Sequence, residues 1–190
     1  MAVDRKKLIL EAAAKSFSMF GYKATTMDQV AKIANVGKGT IYTFFKNKEE
    51  LFEEIINQLI QEMKERADAS FNQQSSFVEN VHRALMSLLE YRKKHQLTVK
   101  LFQEQKEIGT MEVKAVISHL ENAILHYMQE RVQEAMDKGE IKGKNSEITA
   151  FIILKLYIAL IFDWEKMHDP LSAEEIASSF ELHLFEGLSS

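Results

Sequence analysis

A chain of 190 residues, 46% of them hydrophobic, is long enough for one domain or two small ones; with one proline, seven glycines and no alternating polar–apolar run, it is predicted to be all-α. The absence of cysteine excludes a disulfide framework, a thiolate zinc site and a cysteine nucleophile. The net charge of −4 conceals an asymmetry: residues 1–48 hold nine Lys or Arg against three acids, a net of +6, which leaves −10 for the remainder. A basic head on an acidic body fits either a polyanionic partner or a merely solvated basic face.

The first helix is expected from about Asp4 to Phe20, with Leu8, Ala12, Ala13, Phe17 and Phe20 at helical spacing and Gly21 as its stop. Its charged start is not a signal peptide. Thr26 and Gln29 read as a capping box opening a second helix, with Val30, Ala31, Ile33 and Ala34 as its buried stripe. That helix ends near Asn35, a residue type that tolerates left-handed backbone. After a tight turn at Val36 and Gly37 a third helix starts near Lys38. Two short helices across such a turn make a helix-turn-helix over about 26–45, or an ordinary helical corner. The apolar pattern then predicts a long fourth helix from Lys48 to about Ala69, a fifth over 77–93, a sixth over 97–108, a seventh over 111–138 and an eighth over 146–167. A ninth begins at a Ser172/Glu175 capping box and ends at Gly187. The longest apolar run, Ile148 to Phe162, is too short and too interrupted, by Thr149 and Lys155, to span a membrane, and a cytoplasmic location is expected.

The third helix has two unlike faces. Ile41 and Phe45 are four apart and point inward together. Lys38, Gly39, Tyr42, Thr43 and Lys46 fall elsewhere on the wheel. Lys38, Lys46 and Lys48 suit phosphates, and Thr40, Tyr42 and Thr43 can hydrogen-bond phosphates or base edges. Gly39 weakens a helix by about 1 kcal/mol relative to Ala, so clearance for a duplex backbone is a reason for it. Phe44 fits either the core or the DNA-facing side.

Residues 7–52, with "ILEAAAKSFSMFGYKATTMDQVAKIANVGKGTIYTFFKNKEELF" at their centre, resemble the DNA-binding domain of the tetracycline-repressor (TetR) family. An alanine-rich first helix ending in Phe-Gly-Tyr, a Thr-Thr-capped second helix and the Gly-x-Gly-Thr-Ile-Tyr run appear in the family's order. The resemblance implies a recognition helix over Lys38 to Phe44, hydroxyl contacts from Thr40 and Tyr42, and phosphate contacts from Lys48 and Thr26. Lys38 and Thr43 stand at positions that vary in the family and are the candidates for sequence choice. Arg5, Lys6 and Lys7 are candidates for a short basic arm.

The same resemblance implies a domain 3–63 that binds double-stranded DNA and a helical domain 64–190 that binds a small-molecule effector and forms a homodimer through the last two helices. The fourth helix would link the two. Apolar residues on two faces of the eighth helix are compatible with this; the expected interface residues are Ile152, Leu156, Ala159, Leu160, Ile176, Phe180 and Leu184. Pocket candidates are the aromatics Tyr91, Phe102, Tyr127, Phe151 and Trp164, although aromatics at helical spacing more often belong to a plain core. Lys155 can anchor an anionic head group, pair with an acid across the dimer or snorkel to solvent. Scattered histidines, no metal-ligand spacing, no glycine-rich phosphate loop and no nucleophile elbow argue against an enzyme and call for no metal or cofactor. The expected function is a ligand-responsive repressor on a pseudo-palindromic operator; the alternative is a helical adaptor whose basic corner binds an acidic protein.

Overall fold

The computed structural model describes residues 4–94 and 96–186, with side chains described for all but 88–94, 96, 98, 99, 102, 105, 106, 162, 173 and 185 of these. The described residues form nine α-helices and no strand: α1 Arg5–Ala24, α2 Met27–Ile33, α3 Lys38–Phe44, α4 Lys48–Ser70, α5 Phe77–Lys94, α6 Gln96–Glu107, α7 Met111–Asp137, α8 Ser146–Ile158 and α9 Ala173–Phe180. The predicted eighth helix is present, but beyond Ile158 it loosens into a π turn, Ala159–Asp163, and a 3-10 turn, Trp164–Lys166. α9 likewise runs on into a π turn, Glu181–Phe185; its predicted stop at Gly187 lies outside the described residues. No described helix is long and apolar enough to cross a membrane.

The chain groups into two compact units. The first joins 1–62 to 91–120, and the second joins 63–90 to 121–190. Residues 91–120, expected with the C-terminal domain, therefore pack with the N-terminal helices.

In the first unit Phe17 of α1 and Phe52 of α4 are fully buried, with ring centroids 4.9 Å apart, and Tyr22 closes the group at 4.7 Å from Phe52. Tilted rings at this separation add to the area they bury, so the trio sets how α1 lies on α4. Gly21 interrupts α1 at φ 82°, in the left-handed region where a side chain is strained. The Thr25 hydroxyl donates to the Gly21 carbonyl (2.9 Å) and lies 3.1 Å from the buried Ser16 hydroxyl. The kink thus has its own internal hydrogen bonds.

The second unit has a core of Phe77, Leu85, Val132, Ala135, Ile141, Ala150, Ile153, Ile161, Ile176 and Phe180. Ser172 and Glu175 form the predicted capping box at the start of α9, each satisfying the other's backbone N–H (2.8 and 3.1 Å). The Ser172 backbone N–H, and then its hydroxyl, hold the Glu175 carboxyl below its ordinary range.

Candidate nucleic-acid interface

The corner between α2 and α3 is built from short-range bonds. Thr26 caps α2 by accepting the Gln29 N–H (3.2 Å). Asn35 takes the left-handed conformation (φ 53°), and the Val36 N–H closes the turn on the Ala31 carbonyl (3.0 Å). Ile41 is fully buried and Phe45, just past the end of α3, is nearly so, which anchors the helix from beneath. Phe44 faces outward, 39% exposed, so Phe45 rather than Phe44 belongs to the core.

The outward face of α3 carries Lys38, Gly39, Tyr42 and Thr43, all exposed, with Lys46 just beyond the helix and Thr40 partly covered. A Cβ built on Gly39 would meet no atom of the chain within 4 Å, so nothing in the protein's own packing requires glycine there. The Thr43 hydroxyl donates to the Thr40 carbonyl (2.7 Å), which leaves its oxygen lone pairs and methyl group outward. Lys38 Nζ is 2.9 Å from Asp28 Oδ2 on α2. This hydrogen bond, and then the Asp28 charge, raise the Lys38 pKa above its ordinary value.

α4 begins beside this face. Asn47 accepts the Glu50 N–H (2.8 Å), and the Glu50 carboxylate in turn accepts the Lys46 N–H (2.8 Å). Lys48, the first residue of α4, donates its ammonium to the Tyr22 carbonyl (3.0 Å) and sits 4.2 Å above the Tyr22 ring. The Tyr22 hydroxyl donates to Glu49 Oε1 (2.8 Å); burial first, and then this bond, push the phenol well above its usual value. Glu49 is held below its ordinary range by its own backbone N–H and then by the Tyr22 hydroxyl. Sequence reasoning did not single out Tyr22 or Glu49. The aromatic after Gly21 belongs to the family pattern with no role that the sequence assigns, and its partners lie on another helix.

Arg5, Lys6 and Lys7 are not an arm. They form the first turn of α1, capped by Asp4, whose carboxylate accepts the Lys7 N–H (3.1 Å), and Lys6 is ion-paired to Glu54 (2.8 Å). A capping aspartate in front of a good helix start favours the helix over a free arm.

The expected effector and dimer residues are placed unevenly. The side chains of Tyr91 and Phe102 lie outside those described. Tyr127 donates its hydroxyl to Asp68 (2.6 Å) and packs its ring 5.4 Å from the Arg131 guanidinium. Trp164 lies at the surface, stacked on His168 (4.0 Å) and donating to the Asp169 carbonyl (3.1 Å). Phe151 and Lys155 are brought together (5.6 Å), with Lys155 bound to Glu121 (2.7 Å) in the same chain. On α8, Ile148, Phe151 and Ile152 are about half exposed, and Ala159 beyond it is exposed, while Leu156 and Leu160 lean on the core. Ile176 and Phe180, expected at an interface, are instead in the core of their own unit, 2% and 1% exposed. Leu184 packs partly against that core. An apolar stripe on a helix is satisfied as well by its own core as by a partner, and α9 turns its stripe inward.

Residues 9–55 match the model of the bacterial regulatory proteins, tetR family. The chain is 61% identical over 189 residues to the uncharacterized HTH-type transcriptional regulator YhgD of Bacillus subtilis, covering 100% of this chain and 99% of that one. Its fold is similar to the fatty acid degradation regulator FadR of Bacillus halodurans, with a TM-score of 0.78 at 16% identity over 97% of this chain and 98% of that one. It is similar also to the transcriptional regulator FadR of Bacillus subtilis in complex with stearoyl-CoA, with a TM-score of 0.69 at 21% identity over 91% of this chain and 96% of that one. The α2–α3 pair is a helix-turn-helix of a DNA-binding transcriptional regulator, and the chain belongs to the TetR family of bacterial regulatory proteins.

Proposed function

We propose that the chain is a cytoplasmic repressor that binds a pseudo-palindromic operator as a homodimer and is released by a small molecule held in its second unit. The observation that carries the DNA-reading part is the outward face of α3. It is cationic, hydroxylated and, at Gly39, bare where no internal contact asks for glycine. Lys46, Lys48 and the Thr26 hydroxyl take phosphates, Thr40 and Tyr42 hydrogen-bond backbone or base edges, and Lys38 and Thr43 choose sequence. Dimerisation is supported by the exposed apolar residues Ile148, Phe151 and Ile152 on α8, a face that a second copy would cover. Two recognition helices related by a twofold axis meet half-sites about one helical turn apart, which is why the operator is an inverted repeat.

The effector class to test first is a long-chain acyl-CoA, on the strength of the structural likeness to the FadR that holds stearoyl-CoA. Partly buried Met86, Met128 and Met136, adaptable apolar side chains, suit an alkyl chain.

The experiment is a selection from random duplexes with the full chain at low salt and without effector. The reading predicts enrichment of one inverted repeat, bound with an affinity that falls steeply with salt and is weakened by stearoyl-CoA. A pool with no enriched sequence overturns the DNA-reading role. An enriched site without twofold symmetry overturns the dimer, and binding indifferent to stearoyl-CoA overturns that effector class.

A further inference from the structure

Glu104 of α6 is 4% exposed, an acid inside the first unit. Its two carboxylate oxygens accept the backbone N–H groups of Tyr22 (2.6 Å) and Lys23 (2.9 Å), at the kink made by Gly21. The approach is so close that a Cβ on Gly21 would lie 2.5 Å from Glu104 Oε2. The Lys23 N–H and the Tyr22 carbonyl belong to one peptide group. On its N–H side that group is held by Glu104; on its carbonyl side it accepts Lys48 Nζ at 3.0 Å. Because a peptide group is planar and trans, fixing the direction of its N–H fixes the direction of its C=O. A carboxylate on the N–H also polarises the group and makes the carbonyl a stronger acceptor.

We infer that Glu104 is a positioning residue for operator binding: through the Tyr22–Lys23 peptide group it fixes the carbonyl on which Lys48 rests, and so the place from which Lys48 meets a phosphate. An ammonium has three N–H donors. Lys48 spends one on Tyr22 and can present the others to DNA from a defined position, with less side-chain freedom to lose on binding. Glu104 itself touches no DNA. The inference rests on the reading of Lys48 as a phosphate contact, proposed above.

The test is a double-mutant cycle with Glu104→Gln and Lys48→Ala, reading operator affinity across salt concentrations and the thermal melt of each protein. Glutamine places an NH2 against one of the two backbone N–H groups, so one of the two bonds is lost. Glu104→Gln is expected to weaken operator binding about tenfold. It is also expected to lower the salt slope by up to about two, one phosphate contact per protomer of a dimer. In the Lys48→Ala background the same change is expected to have no further effect on either quantity. Tyr22→Phe, which removes the hydroxyl bond to Glu49 but keeps the backbone, leaves the salt slope as in the wild type. If Glu104→Gln does not fold, Glu104→Asp, which keeps both acceptor oxygens, is read in the same way and gives a smaller loss with the same cancellation. A Glu104 variant that only lowers the melting temperature, or whose loss of affinity persists undiminished without Lys48, overturns the inference. Lys48→Ala with unchanged salt slope overturns instead the phosphate contact on which it rests.

Discussion

Lys38 Nζ lies 2.9 Å from Asp28 Oδ2, an exposed ion pair that joins the recognition helix to the helix before it. DNA must compete with Asp28 for this cation. Asp28→Asn is therefore expected to leave the melting temperature in place, since exposed pairs contribute little to stability, while tightening binding to every duplex. Discrimination between operator and unrelated DNA should fall, because a freed lysine is attracted to any phosphate. Titrations of both duplexes at one salt concentration check this. Unchanged affinity for unrelated DNA would show that the pair does not restrain Lys38.

Gly39 gives the sharpest separation of stability from function. Ala there meets nothing in the chain and improves helix propensity, so Gly39→Ala is expected to stabilise the protein by about 1 kcal/mol. It should also weaken operator binding at least about tenfold, a loss of about 1.4 kcal/mol, because the methyl occupies space meant for the duplex. A thermal melt and a binding titration on the same preparation suffice. A protein that melts higher and binds as before would remove the clearance argument.

Lys48 and the variable positions divide the work. Lys48→Ala should lower affinity for all sequences alike and reduce the salt slope by about two per dimer. Lys38→Ala and Thr43→Val should instead shift which base is preferred at one position of each half-site. Repeating the duplex selection with each variant reads both effects.

The helix-turn-helix was legible because its determinants are local. The Ile41–Phe45 pair, the Thr26 cap, the Asn35 turn and the Gly39 gap all lie within a few residues of their partners, where helical geometry makes spacing informative. Glu104 was not legible: its partners Tyr22 and Lys23 are more than 80 residues away in the chain, and no periodicity marks an acid on α6 as buried. The Lys38–Asp28 pair was missed for a related reason, since a wheel of one helix does not show what its neighbour offers. Ile176 and Phe180 were read as interface because an apolar stripe reports that a helix is covered, not by what. Lys155 pairs with an acid of its own chain, Glu121, rather than with one across a dimer, because that partner stands on a different helix that the spacing around Lys155 does not reveal.

That difference yields a test of the second unit. Ile152→Glu, on the exposed face of α8, is expected to give a folded chain that sediments as a monomer and loses cooperative operator binding. Phe180→Ala, in the core, should instead cost about 3–5 kcal/mol of folding stability. Sedimentation velocity paired with a thermal melt distinguishes them. A dimeric Ile152→Glu protein would place the interface elsewhere.

Whether α3 of a symmetric dimer reads an inverted repeat is decided by a hydroxyl-radical footprint of the full chain on its selected operator. Two equivalent protected patches are expected, related by twofold symmetry and about one helical turn apart, both lost in the Ile152→Glu protein. A single protected patch, or two patches that survive in that monomer, would contradict that reading.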